Sequence, residues 1–598
     1  MPSAASESPL DWTADGQPRS RLYDDVYFSA EDGLAEARAV FLAGCGLPDA
    51  WAGRSRFTVG ELGFGTGLNI LALIELWSRA RPPGAQLHIF SIEAHPIAAD
   101  EARRALARWP ELGGLAERLL AQWPGRARGG HRVEFPDLGV ILDVAAADAA
   151  QALRDWLGQA DAWFLDGFAP ARNPAMWSDE VLGLVGARSA PGAVAATFTV
   201  AGQVRRGLAA AGFEVEKAPG FGRKRERLAA RRPGAAPAAK RPRRVAIVGA
   251  GIAGASAARA VRALGGEALV FDAEGRGAGA SGNPAALVTP RLDAGLGPPA
   301  QLFAQAFRRA VALYEAEPGL IIASGALQVA TQDRDPGRFA KVAASGLFEP
   351  GTLKALTPAE TSERLGEAEP QALSLDDGLV IEPRVLLAAW TPEVTAGAVA
   401  RVERDGAGWR LLDAAGAVLA TADAVILAAG LATAELAPGL PLHPVRGQAS
   451  FTPLADPPPA AAFGGYAIPT RGGVLFGATH DRGDTARDVR AEDHTRNLGF
   501  LADGLPRLAG RLADAPLEGR ASIRVATPDH LPVAGSAPGA AAGLYVLSGL
   551  GARGFTLAPL LAEHLAAEIM GAPSPLPRPL SEAVDPARFA RRAARRGS

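Results

Sequence analysis

The sequence predicts an α/β protein with two nucleotide-binding domains, each built on a mostly parallel sheet. Two glycine-rich loops, at 61–67 and 249–254, each follow a strand-like apolar run and precede a helical stretch. Strand-like and helical runs alternate between residues 57 and 217, which is typical of a parallel sheet covered by helices. Glycines let a strand turn sharply into a helix whose first N–H groups face a ligand. We therefore expect two cofactor sites and two reactions.

Domain boundaries are predicted from composition and from the loss of hydrophobic periodicity. Residues 228–242 are rich in Pro and Ala and have no period, so they are predicted to be a linker. This divides the chain into an N-terminal domain (1–227) and a C-terminal domain (243–598). Residues 320–476 break into short strands with Gly and Pro turns, which indicates an antiparallel substrate domain inserted into the second nucleotide-binding domain.

Composition narrows the class of protein. The chain has 48% hydrophobic and 21% charged residues and a net charge of −2, all typical of a globular protein and uninformative about oligomeric state. Its N-terminus is polar, and no apolar run reaches the ~18 residues that a membrane span needs, so we expect a cytoplasmic protein. Cys45 is the only cysteine, which excludes an intrachain disulfide and a cysteine-based zinc cluster. No metal site is predicted.

The first glycine loop is predicted to bind a nucleoside cofactor. The candidate cofactor residues of this loop are Glu61, Gly63, Phe64, Gly65, Gly67 and Asn69. The next strand ends at Glu93, whose carboxylate could hold both ribose hydroxyls, and Asp148 after the following strand could receive an adenine amine. This pattern suits S-adenosylmethionine and NAD equally well.

The fourth strand favours S-adenosylmethionine. It ends at Asp166 in a tight Gly/Pro loop, with Phe168 and Trp177 predicted as flat walls for a substrate. Methyl transfer to an amine needs alignment of the reacting atoms and removal of the proton from nitrogen. A carboxylate at the carboxyl end of a strand suits both tasks, so Asp166 is the predicted catalytic residue.

The second glycine loop, with Gly249, Gly251 and Gly254, is followed by a strand that ends at Asp272. A carboxylate at this strand end disfavours NADP, whereas FAD and NAD both fit. Ser281 and Asn283 lie in a glycine-rich segment that suits a flavin pyrophosphate or ring edge better than a mobile nicotinamide.

Segments 523–532 and 549–555 resemble the glycine oxidase and sarcosine oxidase group. The resemblance implies arginines that hold a substrate carboxylate beside the flavin, where a guanidinium forms a bidentate fork. Arg524 is the first candidate and Arg553 the second. Because this half has no cysteine, FAD is expected to bind non-covalently.

Four segments of the first half, 20–29, 63–69, 163–170 and 220–226, resemble the methyltransferase half of the bifunctional transfer-RNA (tRNA) 5-methylaminomethyl-2-thiouridine biosynthesis family. Their order and spacing match over nearly all of residues 10 to 227. The family also has a downstream oxidase, and residues 244 to 566 match it more loosely.

The resemblance implies two consecutive reactions on a wobble uridine of tRNA. The oxidase would remove the carboxymethyl group from 5-carboxymethylaminomethyl-uridine, and the methyltransferase would methylate the freed amine with S-adenosylmethionine. A cluster of basic residues would then contact tRNA phosphates: Arg205, Arg206, Arg223, Lys224 and Arg225.

Two other hypotheses remain open from the sequence. One is a free amino-acid or amine oxidase fused to an unrelated methyltransferase, which would accept free glycine in place of tRNA. The other is a tRNA-binding scaffold with degenerate cofactor folds, which the intact glycine loops and acidic strand ends disfavour.

Overall fold

The computed structural model describes residues 8–29, 32–222, 224–235, 244–368 and 371–597. The chain forms two compact units. The first comprises Met1–Lys240 with Gly571–Arg578, and the second comprises Arg241–Met570 with Pro579–Ser598. No helix among the described residues is both long and apolar enough to cross a membrane.

The first unit is built on an eight-stranded sheet and a two-stranded hairpin. Its strands are β1 (Leu10–Trp12), β2 (Pro18–Ser20), β3 (Arg56–Leu62), β4 (Gln86–Glu93), β5 (Gly129–Phe135), β6 (Val140–Ala146), β7 (Ala160–Leu165), β8 (Ser189–Thr197), β9 (Glu214–Pro219) and β10 (Glu226–Arg231). Strands β1 and β2 form the hairpin, and the large sheet has the order β5-β6-β4-β3-β7-β8-β10-β9. The five strands from β6 to β8 are parallel, as predicted.

Helices cover both faces of this sheet, and β3 and β4 are therefore buried along almost their whole length. The helices are α1 (Gly33–Glu36), α2 (Leu68–Ala80), α3 (Ala99–Leu106), α4 (Gly113–Leu120), α5 (Ala149–Asp155), α6 (Asp179–Ala187) and α7 (Gly202–Ala210), and a π-helical segment, Ala37–Leu42, continues α1. The chain runs from β3 to β4 on one side, whereas β7 lies on the other side of β3. Ligands of open α/β sheets bind at such a reversal of strand order, outside the carboxyl ends of the strands.

The predicted linker, residues 228–242, begins within a strand of the sheet. Residues 228 to 231 belong to β10, which is antiparallel to both β8 and β9. Leu228 and Ala230 alternate into the hydrophobic core, a period of two that the surrounding Pro and Ala residues obscured. Most of the remaining predicted linker, residues 236–242, lies outside the described residues.

The second unit combines a mostly parallel six-stranded sheet, a ten-stranded mixed sheet and a small antiparallel sheet. Its strands are β11 (Arg244–Val248), β12 (Glu267–Asp272), β13 (Ala286–Val288), β14 (Ile321–Val329), β15 (Leu353–Leu356), β16 (Ala372–Ile381), β17 (Thr395–Ala396), β18 (Arg401–Asp405), β19 (Gly408–Leu412), β20 (Val418–Ala422), β21 (Ala424–Leu427), β22 (His443–Pro453), β23 (Ala461–Ala462), β24 (Tyr466–Pro469), β25 (Gly473–Gly477), β26 (Asp481–Arg482), β27 (Glu518–Ala526), β28 (Val533–Ser536) and β29 (Leu544–Ser548). The six-stranded sheet has the order β17-β12-β11-β21-β29-β28.

The helices of this unit are α8 (Ile252–Ala263), α9 (Pro298–Glu315), α10 (Asp335–Ala343), α11 (Pro358–Leu365), α12 (Pro383–Trp390), α13 (Thr433–Leu436), α14 (Ala491–Gly504), α15 (Pro506–Leu512), α16 (Gly554–Met570), α17 (Arg578–Val584) and α18 (Arg588–Gly597). Helix α16 is buried along nearly all of its length, and it packs against α8 and α9. It begins directly after the segment that carries Arg553.

The predicted inserted domain corresponds to the ten-stranded sheet, whose neighbouring strands are mostly antiparallel. It extends beyond residue 476, because β27 pairs antiparallel with β22 over nine residues. The three strands β18 to β20, which lie within the predicted range, form a separate sheet. Long-range pairing of this kind has no signal in local sequence.

Candidate functional sites

The first glycine loop connects β3 to α2 beside the end of β7. Gly63 has φ +90°, and a Cβ there would lie 2.9 Å from the carbonyl oxygen of Asp166. Gly67 has φ +76° and precedes the first residue of α2. Phe64 is buried, with its ring centroid 5.1 Å from that of Trp123. The loop is therefore closely packed, and it lies at the reversal of strand order.

Glu61 is completely buried at the start of this loop. Its Oε2 accepts a 2.5 Å hydrogen bond from Ser91, and its buried Oε1 has no hydrogen-bond partner within the described residues. Burial raises the pKa of Glu61 to about 8. The side chain is thus mostly a neutral acid at pH 7, and its unsatisfied oxygen fits a bound polar cofactor.

The acidic strand end of β4 ties the loop to the sheet. Glu93 Oε2 accepts from the Gly65 N–H at 3.0 Å, and Oε1 accepts from the His95 N–H at 2.9 Å. Each oxygen keeps a lone pair for a ribose hydroxyl, so the predicted role fits this geometry. Asp148 is exposed and caps α5 by accepting from the Gln151 N–H. Its contact with an adenine amine remains a prediction.

Asp166 lies immediately after β7, half-buried and held by two donors. Asn69 Nδ2 donates to Oδ2 at 2.8 Å, and the Gly167 N–H donates to Oδ1 at 2.9 Å. Burial raises the pKa of Asp166 to about 6 despite these hydrogen bonds. Asn69, predicted as a cofactor residue, is thus a partner of Asp166, and it carries this contact from the first turn of α2.

Phe168, two residues after Asp166, belongs to a cluster of three aromatic rings. The ring centroid of Phe168 is 4.9 Å from that of Tyr23 and 5.2 Å from that of Tyr27. The prediction of Trp177 as a substrate wall is wrong, because Trp177 is completely buried and its Nε1 donates to the Phe168 carbonyl oxygen. Trp177 therefore supports the backbone of the loop that carries Phe168 from within the core. The rings that pack against Phe168 are those of Tyr23 and Tyr27, and no local pattern predicts this contact.

The predicted tRNA contacts of this unit fall into two groups. Arg205 and Arg206 are exposed on α7, and Arg225 is exposed next to β10. Lys224 donates to Glu36 Oε1 at 3.1 Å and lies 4.2 Å from the centroid of the Phe198 ring, so it has partners within the protein. Arg223 lies outside the described residues.

The second glycine loop connects β11 to α8. Gly249 has φ +111°, and a Cβ there would overlap the carbonyl oxygen of Ala428, just beyond β21. A Cβ at Gly254 would overlap the carbonyl oxygen of Gly249, whereas one at Gly251 would contact Ser281 Oγ at 3.1 Å. The three glycines thus allow loop, helix and neighbouring strand to pack closely.

Asp272, at the end of β12, holds this loop as Glu93 holds the first one. Its Oδ2 accepts from the Ala250 N–H at 2.7 Å, and its Oδ1 accepts from the N–H groups of Glu274 and Gly275, both at 2.9 Å. It also lines a cavity of about 430 Å³, together with Gly275 and Glu393 among others. A cavity with a carboxylate acceptor beside a glycine loop fits the adenosine part of a dinucleotide.

The glycine-rich segment after Asp272 is fastened by a residue that sequence reasoning missed. Ser281 Oγ accepts from the Ile252 N–H at 3.0 Å, and Asn283 Oδ1 accepts from Arg520 at 3.1 Å. Arg520 also donates to the carbonyl oxygens of Ala278 and Gly279. Arg520 and Arg524 are four residues apart on β27 and therefore project from the same face, which is the signal that could have found Arg520.

Arg524 is half-buried on β27, in close contact with Gly447 of β22. One terminal nitrogen, Nη2, donates to the Thr479 carbonyl oxygen at 2.6 Å, and the buried Nε has no partner within the described residues. Burial lowers the pKa of Arg524, and the neighbouring side chains of Tyr466 and Asp481 oppose that shift. A guanidinium with unused donors fits the binding of a carboxylate.

Arg553 lies directly before α16. Its Nη1 donates to Thr289 Oγ1 at 2.5 Å and to the Thr289 carbonyl oxygen at 3.0 Å. Burial lowers the pKa of Arg553 to about 10. Arg553 lines a second cavity, of about 490 Å³, and Arg524 is not among the lining residues of that cavity. The two predicted substrate arginines thus have different surroundings.

Comparison with known proteins agrees with two different cofactor-binding regions in the chain. A model for S-adenosyl-L-methionine-dependent methyltransferases matches residues 110–233, and one for FAD-dependent oxidoreductases matches residues 244–568. The chain is 61% identical to the tRNA 5-methylaminomethyl-2-thiouridine biosynthesis bifunctional protein of a Caulobacter species, over 99% of both chains. It is 46% identical to the protein of the same description from Maricaulis maris, covering 98% of this chain and 97% of the relative.

Among solved structures, the iminodiacetate oxidase of a Chelativorans species is similar to part of this chain. It is 26% identical, and the match covers 55% of this chain and 96% of the oxidase, with a TM-score of 0.48.

The two folds and their sites therefore define an enzyme with an S-adenosylmethionine-dependent methyltransferase region and an FAD-dependent oxidoreductase region. The chain belongs to the family of tRNA 5-methylaminomethyl-2-thiouridine biosynthesis bifunctional proteins.

Proposed function

We propose that this enzyme completes a wobble uridine of tRNA in two steps. The FAD-dependent unit removes the carboxymethyl group of 5-carboxymethylaminomethyl-(2-thio)uridine and leaves an aminomethyl group. The S-adenosylmethionine-dependent unit then methylates that amine. Membership of the family supports this order of substrate and product, and the surroundings of Asp166 are the observation that carries it.

In the methyltransferase unit, S-adenosylmethionine supplies an electrophilic methyl group when bound. The glycine loop and Glu93 would hold its nucleoside part, through the free lone pairs of the Glu93 carboxylate and the close approach that glycines allow to the backbone. Asp166 would accept a proton from the substrate ammonium, because only the deprotonated nitrogen has a lone pair for the methyl carbon. With a pKa of about 6, Asp166 is mostly ionised at pH 7 and is a stronger base than an ordinary carboxylate.

The donors that hold Asp166 also orient it. Asn69 and the Gly167 N–H fix both carboxylate oxygens, and Phe168, two residues further along the chain, forms an aromatic surface with Tyr23 and Tyr27. A flat apolar surface suits the uridine ring, whose amine would then extend toward Asp166.

In the oxidoreductase unit, bound FAD would supply the two-electron oxidant for the carbon between amine and carboxylate. Asp272 and the segment held by Arg520 fit its adenosine and pyrophosphate parts. Arg524 would fix the substrate carboxylate through its unused donors, and Arg553 is the alternative. Hydrolysis of the oxidised C–N bond by water releases glyoxylate and the aminomethyl nucleoside.

The exposed basic residues Arg205, Arg206 and Arg225, with Arg223 and Lys224, are proposed contacts of tRNA phosphates. Because tRNA is a cytoplasmic substrate, we also propose a cytoplasmic location.

The test is nucleoside analysis of tRNA carrying 5-carboxymethylaminomethyl-uridine after incubation with the purified full chain. Without S-adenosylmethionine we expect the aminomethyl nucleoside to accumulate, and with it the methylaminomethyl nucleoside. Free glycine serves as a parallel substrate. Oxidation of glycine with no change in tRNA would replace the proposal with that of a free amino-acid oxidase.

A further inference from the structure

The cavity that Arg553 lines carries an excess of positive charge. Its charged lining residues are Arg291, Arg334, Arg338, Arg553, Asp293 and Asp335. Four guanidinium groups against two carboxylates leave two uncompensated positive charges. A concave site with this imbalance attracts anions.

One of the two carboxylates is already used inside the protein. Asp335 is buried, its Oδ2 accepts from the N–H groups of Thr331 and Gln332, and its Oδ1 pairs with Arg338 at 3.0 Å. Arg338 Nε is buried and has no hydrogen-bond partner among the described residues. This pairing fixes Arg338 at the wall, while its Nε remains unsatisfied.

The other arginines leave charge available to a ligand. Arg291 and Arg334 are exposed, and neither forms an ion pair within the described parts of the chain. Arg553 donates to Thr289, and the positive charge of Arg291 contributes to the lowered pKa of Arg553. The cavity therefore connects a half-buried arginine of the candidate oxidase site with two arginines that face solvent.

A carboxymethylamine group alone does not account for this arrangement. The cavity has a volume of about 490 Å³, and its outer charges lie at solvent rather than in the interior. A uridine within tRNA enters the oxidase site with a phosphodiester on either side, so the surface next to that site has to meet a phosphate. Guanidinium forks match phosphate oxygens in geometry and charge.

We propose that Arg291, Arg334 and Arg338 form a phosphate subsite for the tRNA strand next to the nucleotide being oxidised. This inference rests on the proposed tRNA substrate and adds a site in the second unit, apart from the basic residues of the first. It gives the oxidase a means of selecting a polynucleotide over a free amino acid.

The experiment measures oxidation of carboxymethylaminomethyl tRNA by the full-length, FAD-loaded enzyme as a function of salt. In the double variant Arg291→Ala/Arg334→Ala we expect KM for tRNA to rise about tenfold or more. The slope of log(kcat/KM) against log salt should flatten by about 0.7 for each phosphate that the variant no longer neutralises. Arg334→Lys keeps the charge without the fork, and we expect an intermediate KM.

The matched control is Arg401→Ala. Arg401 is an exposed arginine of β18 in the same unit, it pairs with Glu403, and it is not a lining residue of the cavity. We expect its KM and salt slope to equal those of the wild type. An unchanged KM and slope in the double variant, or an equal change in Arg401→Ala, would overturn the subsite.

A fall in kcat with constant KM would overturn it as well, because the arginines would then act on the chemical step. If the double variant does not retain FAD, the single variant Arg334→Ala decides by the same two readouts. Wild-type enzyme that fails to oxidise this tRNA would refute the proposed function itself, whereas normal oxidation that is insensitive to the substitutions refutes only the subsite.

Discussion

The glycine loops of the two units are held in the same way, whereas the candidate catalytic residues come from different parts of the two folds. In each unit, a carboxylate at the end of the strand that follows the glycine loop accepts a hydrogen bond from an N–H of that loop. Glu93, at the end of β4, accepts from Gly65, and Asp272, at the end of β12, accepts from Ala250. The candidate catalytic residue of the first unit, Asp166, lies at the carboxyl end of β7 in the same sheet as the cofactor loop. In the second unit, Arg524 comes from the inserted sheet.

This difference separates two kinds of site. In the methyltransferase unit the candidate base and the cofactor loop are built by adjacent strands, β7 and β3. In the oxidoreductase unit the cofactor loop and the candidate substrate arginine, Arg524, belong to different sheets. We expect damage to either catalytic residue to spare the cofactor loop of its unit, and the following predictions test that expectation from the largest effect to the smallest.

Asp166→Asn should give the largest loss. It removes the proton acceptor and keeps the size of the side chain, so the methylation rate should fall about 100-fold or more. Aminomethyl tRNA should accumulate, as measured by nucleoside analysis, because oxidation takes place in the other unit. Binding of S-adenosylmethionine, measured by titration, should be retained.

Asp100→Asn is the matched control for this substitution. Asp100 is an exposed carboxylate in the first turn of α3, and we expect normal methylation. If Asp166→Asn loses cofactor binding and thermal stability together with rate, Asp166 shapes its loop and is not the base.

Arg524→Ala should affect only oxidation. Loss of a charge-assisted fork costs about 1.5–3 kcal/mol, so kcat/KM for carboxymethylaminomethyl tRNA should fall about 10- to 150-fold. FAD content, read from the visible absorbance, should be unchanged, since the glycine loop and Asp272 belong to a different sheet. Arg524→Lys should recover part of the loss.

Arg511→Ala, at an exposed arginine of α15, should behave as wild type. Unchanged oxidation in Arg524→Ala would transfer the carboxylate-binding role to Arg553, and methylation should be normal in both variants.

The pH dependence of methylation should be a smaller effect than either substitution. The pKa of Asp166 is raised to about 6, so the ionised base is present above that pH and is lost as pH falls through it. With both substrates saturating, we expect kcat to fall about tenfold between pH 7 and pH 5. A flat profile over this range would contradict the assignment of Asp166.

Substitution of the exposed basic residues of the first unit should give the smallest effect. Arg205→Ala/Arg206→Ala should weaken tRNA binding and flatten the slope of log K against log salt by about 0.7–0.9 for each phosphate left without its arginine. Lys224→Ala should change less, because Lys224 already pairs with Glu36. Binding titrations at several salt concentrations measure both, and an unaltered slope in the double variant would show that α7 faces away from tRNA.

The candidate sites were predictable to the extent that they depend on neighbouring residues. The glycines of both loops, Glu93 and Asp272 were found because a strand end, a turn and a helix start leave a local pattern. The hydrogen-bond partners within each site were not predictable, because they are distant in sequence. Asn69 and Asp166 are 97 residues apart, and Asn283 and Arg520 are 237 apart. The prediction for Trp177 was wrong because the burial of this side chain depends on packing rather than on its position in a loop.

By itself, the sequence determined two α/β units, the order of their cofactor loops and the acidic strand ends that support them, because these follow from periodicity and turn chemistry over short stretches. The tertiary structure alone decided which side chains meet Asp166, how β10 completes the first sheet and which arginines share a cavity. Hydrogen bonding and burial join residues that are distant in sequence, and burial also sets the pKa values of Glu61 and Asp166. Chemistry at both sites therefore depends on packing that no local pattern encodes.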